Sequence, residues 1–251
     1  MALLKVLLLL LGLGVSVNSD VSLQKRIIGG HNCADTERLY HVRLEGSNGT
    51  HMSLCGGSLI HPNWILTSAH CWESERGWIN EAMLKVHPRT ATQQNQVIRQ
   101  APVIYTDQGH QHDIMLLKLR KPVSDVPPVK LPDCSNRPKI GDTVQLAGEG
   151  ATTTGPNNER LSNAATATHL QCVDIKVDDG SAFDPTCGHV FYTAAPNKDI
   201  CPGDSGSAAV FNGMIYGVMV EGGPDYACEA PVSIMDVCEY IGWIKTTIGV
   251  K

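Results

Sequence analysis

The chain has few charged and few aromatic side chains, and it has no excess of basic residues. Charged residues make up 18% of its 251 residues and aromatic residues 5%, and the formal net charge is −5. Nucleic-acid-binding proteins typically carry a basic stripe, so this balance argues against a nucleic-acid partner. The 24 glycines and 14 prolines favour a turn-rich β protein over a helical bundle. The length allows one large or two small domains with a hydrophobic core.

The sequence also lacks an apolar run long enough to cross a membrane. The run over residues 6–15, which follows Lys5, is shorter than the roughly 20 residues that a spanning helix needs, and no later segment is longer. Small residues follow it, with Val17 and Ser19 at the spacing of a signal-peptidase site. We therefore expect a signal peptide over residues 1–19 and a secreted, extracellular protein, rather than a membrane anchor.

Short apolar segments separated by turn residues fill most of the remaining chain. They include residues 56–60, 64–67, 114–119, 144–146, 208–210 and 215–220. Many short strands with glycine, proline and asparagine between them are typical of β-sandwiches and β-barrels. Only the tail has a helical pattern, because its apolar residues recur at i, i+4, i+7 and i+11: Val237, Ile241, Ile244 and Ile248.

Three short segments contain residues of a type used in nucleophilic catalysis. They are residues 66–71 (LTSAHC) with His70, residues 112–119 (HDIMLLKL) with Asp113, and residues 199–207 (DICPGDSGS) with Ser205. Each alone has an ordinary explanation as a packed histidine, a capping aspartate or a glycine turn. Together, in the order His, Asp, Ser, they are typical of a serine hydrolase triad.

These segments resemble the chymotrypsin/trypsin family of serine proteases, in its trypsin-like subgroup. The resemblance runs from Ile27 to the C-terminus and includes the segment 243–245 (WIK). It implies an all-β fold of two six-stranded antiparallel barrels with a C-terminal helix. His70 and Asp113 are then expected on the N-terminal barrel and Ser205 on the C-terminal one, with the active site between them. The expected domains are the signal peptide, a propeptide over residues 20–26 and a protease domain over residues 27–251.

The resemblance implies a serine endopeptidase that works through an acyl-enzyme. A serine hydroxyl is a weak nucleophile at neutral pH and needs a base, and histidine titrates near that range. His70 is expected to take the proton of Ser205, and Asp113 to orient the imidazole ring. The backbone N–H groups of Gly203 and Ser205 are expected to form the oxyanion hole. We expect no cofactor.

The segment 25–30 (KRIIGG) is interpreted as an activation site. Cleavage after Arg26 would free the α-amino group of Ile27, which in this family pairs with the carboxylate at Asp204 and orders the oxyanion hole. A buried carboxylate without a partner is costly, so the uncleaved chain is expected to be an inactive zymogen. The implied partners are protein or peptide substrates, an activating protease, and serpin or Kunitz-type inhibitors. No nucleic-acid or membrane partner is expected, and the protein is expected to be a monomer.

The expected primary pocket follows the family pattern only in part. Asp199, six residues before Ser205, matches the aspartate that pairs with substrate arginine or lysine. Gly222 is retained, but Glu221 stands where the family has tryptophan and Val232 where it has glycine. Glu221 could favour a basic substrate, whereas Val232 could narrow the pocket. We expect an Arg/Lys preference at P1, with the effect of these two departures left open.

Nine cysteines in a secreted chain predict disulfides rather than metal ligands, and an odd number leaves at least one unpaired. The family resemblance implies four pairs: Cys33 with Cys172, Cys55 with Cys71, Cys134 with Cys238, and Cys201 with Cys228. Cys187 lacks its usual mate and is either a buried thiol or an intermolecular link, of which we favour the buried thiol.

Residues 48–50 (NGT) form an N-glycosylation sequon at Asn48 in an expected surface loop. Residues 86–97, which match the calcium loop of trypsins, contain no aspartate or glutamate, so no calcium site is expected. His110 and His112 are of a residue type that binds metals, but the adjacent Asp113, a candidate catalytic residue, is a better explanation of this segment than a metal site. We therefore expect no bound metal.

Two further classes of function compete with an active endopeptidase. The first is a protease-fold binding or regulatory protein with weak or no turnover, suggested by Glu221, Val232 and Pro202, which replaces a more usual polar residue. The second is a metal-dependent hydrolase, which the absence of an H-E-x-x-H motif argues against.

Overall fold

A computed structural model of the protein describes residues 27–150, 159, 168–221, 227 and 230–250. For Glu221 only the backbone is described. The expected signal peptide and propeptide, including Arg26, lie outside the described residues, as do Gly222 and Cys228. No helix within the described residues is long and apolar enough to cross a membrane.

The described regular structure is almost entirely β. In chain order the strands are β1 (His31–Asn32), β2 (His41–Ser47), β3 (Met52–His61), β4 (Trp64–Thr67), β5 (Ile79–Leu84), β6 (Gln94–Val97), β7 (Val103–Asp107), β8 (His110–Lys118), β9 (Thr143–Gly148), β10 (Gln171–Asp184), β11 (Gly188–Ala194), β12 (Ala208–Phe211), β13 (Met214–Glu221) and β14 (Val232–Asp236). A 3₁₀ turn (Ala69–Cys71) follows β4, and the helix α1 (Val237–Ile248) ends the chain.

The strands form two antiparallel sheets, one from each half of the chain. The N-terminal sheet has the order β6-β5-β2-β3-β4-β8-β7. The C-terminal sheet has the order β1-β10-β11-β14-β13-β12-β9, and β9 also pairs with β10, which closes six strands into a barrel. The predicted all-β fold with a C-terminal helix is therefore confirmed, and the closed six-stranded barrel is the C-terminal one. In each sheet the seventh strand is an addition to the six that were expected.

The apolar run in β8 is buried on both of its faces. Met115 and Leu117 pack in the core of the N-terminal sheet, with Val42, Leu59 and Ile65. Ile114 and Leu116 point the other way, into a core shared with residues of the C-terminal barrel such as Val190, Val218 and Met235. Because successive side chains of a strand alternate between faces, one strand supplies both cores. This arrangement places the residue before the run, Asp113, at the junction of the two halves.

Helix α1 is capped at both ends. The side chain of Asp236 accepts a hydrogen bond from the Cys238 N–H, and Gly249 follows the helix in the left-handed conformation at φ 78°. Val237, Ile244 and Ile248 are buried as predicted, but Tyr240 takes the place of Ile241 in the buried stripe, and Ile241 is half-buried. An α-helix makes one turn every 3.6 residues, so the residues at i+3 and i+4 both lie on the same face as residue i.

Three of the four expected disulfides are formed among the described residues. They are Cys33–Cys172, Cys55–Cys71 and Cys134–Cys238. The expected partner of Cys201, Cys228, lies outside the described residues. Cys187 is buried and forms no disulfide with a described residue. Burial raises the pKa of the Cys187 thiol to about 11, so the group is protonated at neutral pH.

Candidate active site

His70 lies on the 3₁₀ turn that follows β4, with its side chain about half exposed. The turn is held by the Cys55–Cys71 disulfide, which joins it to β3. One residue before the turn, the Ser68 hydroxyl donates a hydrogen bond to the Met219 carbonyl, at 2.9 Å. Because Met219 belongs to the C-terminal barrel, this bond attaches the His70 turn to the other half of the molecule.

Asp113 holds His70 at two points. Its Oδ1 accepts a hydrogen bond from the His70 backbone N–H at 2.8 Å, and its Oδ2 lies 2.7 Å from the ring Nδ1 of the same residue. An ionised carboxylate can only accept, so the Nδ1 atom must carry the proton. In a neutral His70 ring the Nε2 atom then carries no proton and can accept one, which is the property that a general base requires.

Strand β8 is itself fixed at Asp113 and at the residue before it. The Asp113 backbone N–H donates to the Cys187 carbonyl at 2.7 Å. The neighbouring His112 is buried, and its Nδ1 lies 2.9 Å from the Tyr240 hydroxyl on α1. Burial lowers the pKa of His112, which favours the neutral ring at pH 7. The contact with Tyr240 therefore accounts for the position of His112. The Cys187 carbonyl, which accepts the hydrogen bond from Asp113, is a part of the site that the sequence did not reveal.

Ser205 faces the same cleft as the other two residues. His70, Asp113 and Ser205 line a cleft of about 500 Å³, together with Ile104, Cys187 and Val220. The carbonyl of Ser205 accepts a hydrogen bond from the Gly56 N–H of β3 at 2.7 Å, which ties its loop to the N-terminal sheet. The Ser205 hydroxyl donates to the Val220 carbonyl at 2.8 Å. The structure thus brings the three residues to one cleft, with the hydroxyl proton directed at Val220.

Gly203 has a backbone conformation that other residues rarely adopt. Its φ is 99°, and a Cβ atom there would lie 3.1 Å from the Gly150 Cα and 3.2 Å from a methyl carbon of Leu54. Both the dihedral angle and the close packing therefore favour glycine at this position. The N–H groups expected to form the oxyanion hole belong to this tight loop.

Asp204 is fully buried beside this loop. Its two carboxylate oxygens accept hydrogen bonds from the Gly150 N–H at 2.7 Å and from the Cys201 N–H at 2.8 Å. Burial nevertheless raises the pKa of Asp204 to about 7, because loss of hydration outweighs these two N–H groups. A buried carboxyl with a raised pKa would be stabilised in its charged form by a nearby cation.

Ile27, the expected new N-terminus, is buried in the C-terminal barrel. Its side chain packs with Val144, Ile200 and Met219, and the next residue, Ile28, exchanges backbone hydrogen bonds with Asp199 at 3.0 and 3.3 Å. The segment that begins at Ile27 therefore enters the same barrel that contains Asp204.

The expected pocket residues are described to different extents. Asp199 is buried, and its Oδ1 accepts the Ile200 N–H at 2.7 Å. Val232 is also buried and packs in the barrel core with Phe191 and Ile234. The backbone of Glu221 pairs with Ser233, while its side chain and Gly222 lie outside the described part of the chain.

Two groups of side chains of the kind that bind metal ions occur among the described residues. One combines His70 with Cys55 and Cys71, and the other combines Glu37 with Cys33 and Cys172. In each group the two sulfurs are joined in a disulfide, so they cannot act as thiolate ligands. The Asn48 side chain is in an exposed turn, where its oxygen accepts hydrogen bonds from Thr50 and His51, and glycosylation there remains a prediction.

Comparison with known proteins decides the family. The family model named Trypsin matches residues 27–244. The chain belongs to the trypsin family. This trypsin-family chain is 31% identical to rat serine protease 1, with 97% of the chain and 98% of that protein covered. It is 29% identical to mouse kallikrein 1-related peptidase b21, with 97% of each covered, and 32% identical to Atlantic salmon trypsin-2, with 89% and 96% covered.

A solved structure agrees with the fold of this trypsin-family chain. Neuropsin, a serine protease of mouse brain, superimposes with a TM-score of 0.69, covering 87% of this chain and 98% of its own. Its identity of 24% supports the architecture alone. Membership of a serine protease family is therefore established by the family model and the relatives.

Proposed function

We propose that this protein is a secreted serine endopeptidase, made as a zymogen that is activated by cleavage after Arg26. The observation that carries the proposal is the two-point contact between Asp113 and His70 in the cleft that Ser205 also lines. In this proposal Ser205 is the nucleophile, His70 the general base and acid, and Asp113 the residue that orients the imidazole.

The chemistry would begin with a rotation of the Ser205 side chain. Its hydroxyl leaves the Val220 carbonyl and turns toward the His70 Nε2, which takes the proton as the oxygen attacks the substrate carbonyl carbon. The tetrahedral intermediate collapses when His70 returns the proton to the leaving amine, and this step gives the acyl-enzyme. Water then repeats the sequence, which releases the acid and restores the serine.

The N–H groups of Gly203 and Ser205 would stabilise the oxyanion that forms in both halves of the reaction. Support comes from the tight loop, in which Gly203 takes a φ of 99° beside Gly150 and Leu54. Such donors are most effective when they are fixed before the reaction starts. The loop contains Asp204, so an interaction at Asp204 would affect the oxyanion hole directly.

Activation would supply a cation that could pair with Asp204. Cleavage after Arg26 converts the Ile27 amide nitrogen to an ammonium group, and the Ile27 side chain already packs in the barrel that contains Asp204. Because burial raises the pKa of Asp204, a nearby ammonium group would stabilise the charged form of its carboxyl. We infer that this ion pair orders the oxyanion loop, and that a separate protease performs the cleavage.

We propose a preference for arginine or lysine at P1, carried by Asp199. This residue is buried and stands six positions before Ser205, the spacing at which trypsin-like proteases carry the aspartate that pairs with substrate arginine or lysine. Val232 packs into the barrel core, so it could fit beside a long substrate side chain without filling the pocket. The protein would act as a monomer on peptide or protein substrates, and serpin or Kunitz-type inhibitors would occupy the same cleft.

Cleavage-site profiling with a peptide library tests this proposal. The chain is cleaved after Arg26 and incubated with the library, and the products are identified by mass spectrometry. We expect cleavage after arginine and lysine, and we expect the Ser205→Ala variant to retain only about a thousandth of the activity or less. Cleavage that persists in Ser205→Ala would contradict the assignment of Ser205 as the nucleophile. Cleavage only after apolar residues would contradict the preference for arginine or lysine at P1.

A protease-fold binding or regulatory protein with weak or no turnover is the second candidate. Two observations favour it: the departures from the family pocket at Glu221 and Val232, and the hydrogen bond of the Ser205 hydroxyl to Val220. The same experiment separates the two candidates, because this one predicts little or no cleavage by the processed chain and little difference from Ser205→Ala.

A further inference from the structure

A buried cluster of charged side chains joins the two halves of the molecule next to Asp204. Arg43, on β2 of the N-terminal sheet, donates two hydrogen bonds to Glu149, which follows β9 of the C-terminal barrel. The Nε atom lies 2.9 Å from one carboxylate oxygen, and the Nη2 atom lies 2.7 Å from the other. His41, also on β2, is 3.4 Å from the first of these oxygens.

The cluster holds Glu149 as an ion in an enclosed position. The side chains of Glu149 and His41 are only 5% and 4% exposed, whereas that of Arg43 is 25% exposed. Burial alone would raise the pKa of Glu149, but the hydrogen bonds from Arg43 and the nearby His41 ring outweigh it and lower the pKa to about 2. A two-pronged guanidinium–carboxylate pair fixes orientation as well as distance, which a single contact does not.

Glu149 is flanked by two glycines that pack directly on Asp204. The Gly150 N–H donates to the Asp204 carboxylate at 2.7 Å. A Cβ atom on Gly148 would lie 2.0 Å from an Asp204 oxygen, and one on Gly150 would lie 2.7 Å from the Asp204 carboxyl carbon. A displacement of Glu149 that shifts its backbone would therefore move the two glycines that pack on Asp204, one of which hydrogen-bonds it.

We propose that Arg43 and Glu149 are positioning residues for the activation carboxylate: their ion pair clamps the segment 148–150 against Asp204 and so holds the oxyanion loop in its working position. The proposal rests on the proposed function, since it concerns the same site. Neither residue touches the catalytic cleft described above, and their effect passes through Gly150, Asp204 and Gly203. Cleavage after Arg26 would add the ammonium group to a carboxylate that is already held in place.

The clamp predicts which kinetic constant changes when it is broken. Without Arg43, the buried Glu149 carboxylate loses its hydrogen-bonding partner and must move toward water or take up a proton. Movement would withdraw the Gly150 N–H from Asp204 and loosen the Gly203 loop, which contacts Gly150. Transition-state stabilisation should then fall while ground-state binding of the substrate side chain is unaffected, so kcat should decrease and KM should change little.

The test compares Arg43→Met with the wild type after cleavage of each at Arg26. We expect kcat to be about tenfold lower and KM to stay within about twofold, which is the size of effect that indirect coupling typically has. Arg43→Met combined with Glu149→Gln should recover part of the loss, because no buried charge is then left unpaired. Arg137→Met is the matched control: Arg137 is also an ion-paired arginine, but its partners, Asp236 and Glu239, lie at the start of α1.

A second readout does not require turnover. The rate at which an amine-specific reagent modifies the Ile27 α-amino group, followed by mass spectrometry, measures how well the new N-terminus is inserted. We expect this rate to be about tenfold higher in Arg43→Met than in the wild type and unchanged in Arg137→Met. If Arg43→Met does not fold, Glu149→Gln, which retains the size of the side chain, takes its place in both assays with the same expected direction.

The two readouts separate failure of the clamp from failure of the proposed function. Wild-type protein that cleaves no peptide contradicts the peptidase, and the amine readout then decides the clamp alone. Equal kcat values and equal amine reactivity in wild type and Arg43→Met would overturn the clamp. A loss of kcat equal in Arg43→Met and in Arg137→Met would also overturn it, because the effect would then reflect general destabilisation.

Discussion

The Asp113→Asn variant is expected to lose about ten-thousand-fold in kcat, with little change in KM. Asparagine has nearly the shape of aspartate, but the group that faces the His70 Nδ1 can become an N–H donor. Donation to Nδ1 would force the ring proton onto Nε2, the atom that must accept the Ser205 proton. The substitution therefore removes the base while preserving the packing of β8, and steady-state hydrolysis of a small ester after cleavage at Arg26 measures the loss.

Asp107→Asn is a suitable control for this variant, because Asp107 is exposed at the end of β7, beside the start of β8. Its activity should remain within about twofold of the wild type, as is usual for surface substitutions. An Asp113→Asn protein that retains a tenth or more of the wild-type kcat would show that the carboxylate does not orient the base. The assigned role of Asp113 would then be wrong.

Processing at Arg26 should also change activity by a large amount. We expect the intact chain to be at least about a hundredfold less active on the small ester than the cleaved chain, which is the cost of a displaced oxyanion donor. The physical reason is that Asp204 is fully buried without the ammonium group that cleavage creates, and that burial raises its pKa to about 7. The ester assay before and after cleavage measures the ratio.

Substitutions at Ile27 separate insertion of the new terminus from cleavage itself. Ile27→Asp should stay inactive after cleavage, because a carboxylate would have to enter the apolar cluster that contains Val144 and Ile200. Ile27→Val, which removes one methylene group, should be activated like the wild type. An intact Arg26–Ile27 bond with full activity, or an active Ile27→Asp protein, would refute the activation mechanism.

The sequence predicted those parts of the molecule that local pattern and residue type determine. The apolar segment 114–119 predicted a strand, and the structure places Asp113 just before it, where β8 enters both cores. The motif segments predicted the family, which the comparisons confirmed. The C-terminal helix was predicted from its period, although one of the four stripe positions was wrong: Tyr240 is buried in place of Ile241, and its hydroxyl contacts His112.

Contacts between distant segments could not be read from the sequence. Arg43 and Glu149 are separated by 106 positions, and each alone resembles an ordinary surface charge. The carbonyls of Val220 and Cys187 contribute hydrogen bonds to the site, but a backbone acceptor leaves no trace in residue type. The pocket departures at Glu221 and Val232 were visible, yet their effect depends on where the side chains point. These are properties of the packed chain, and spacing rules do not determine them.

The central claim is that His70 activates the hydroxyl of Ser205 for attack on an electrophile. Reaction of the cleaved chain with a fluorophosphonate, followed by mapping of the adduct, tests this claim most directly. The account predicts a single adduct on Ser205 that forms at least about a thousandfold more slowly in His70→Ala. No adduct in the cleaved wild type, or an adduct whose rate is independent of His70, would contradict it.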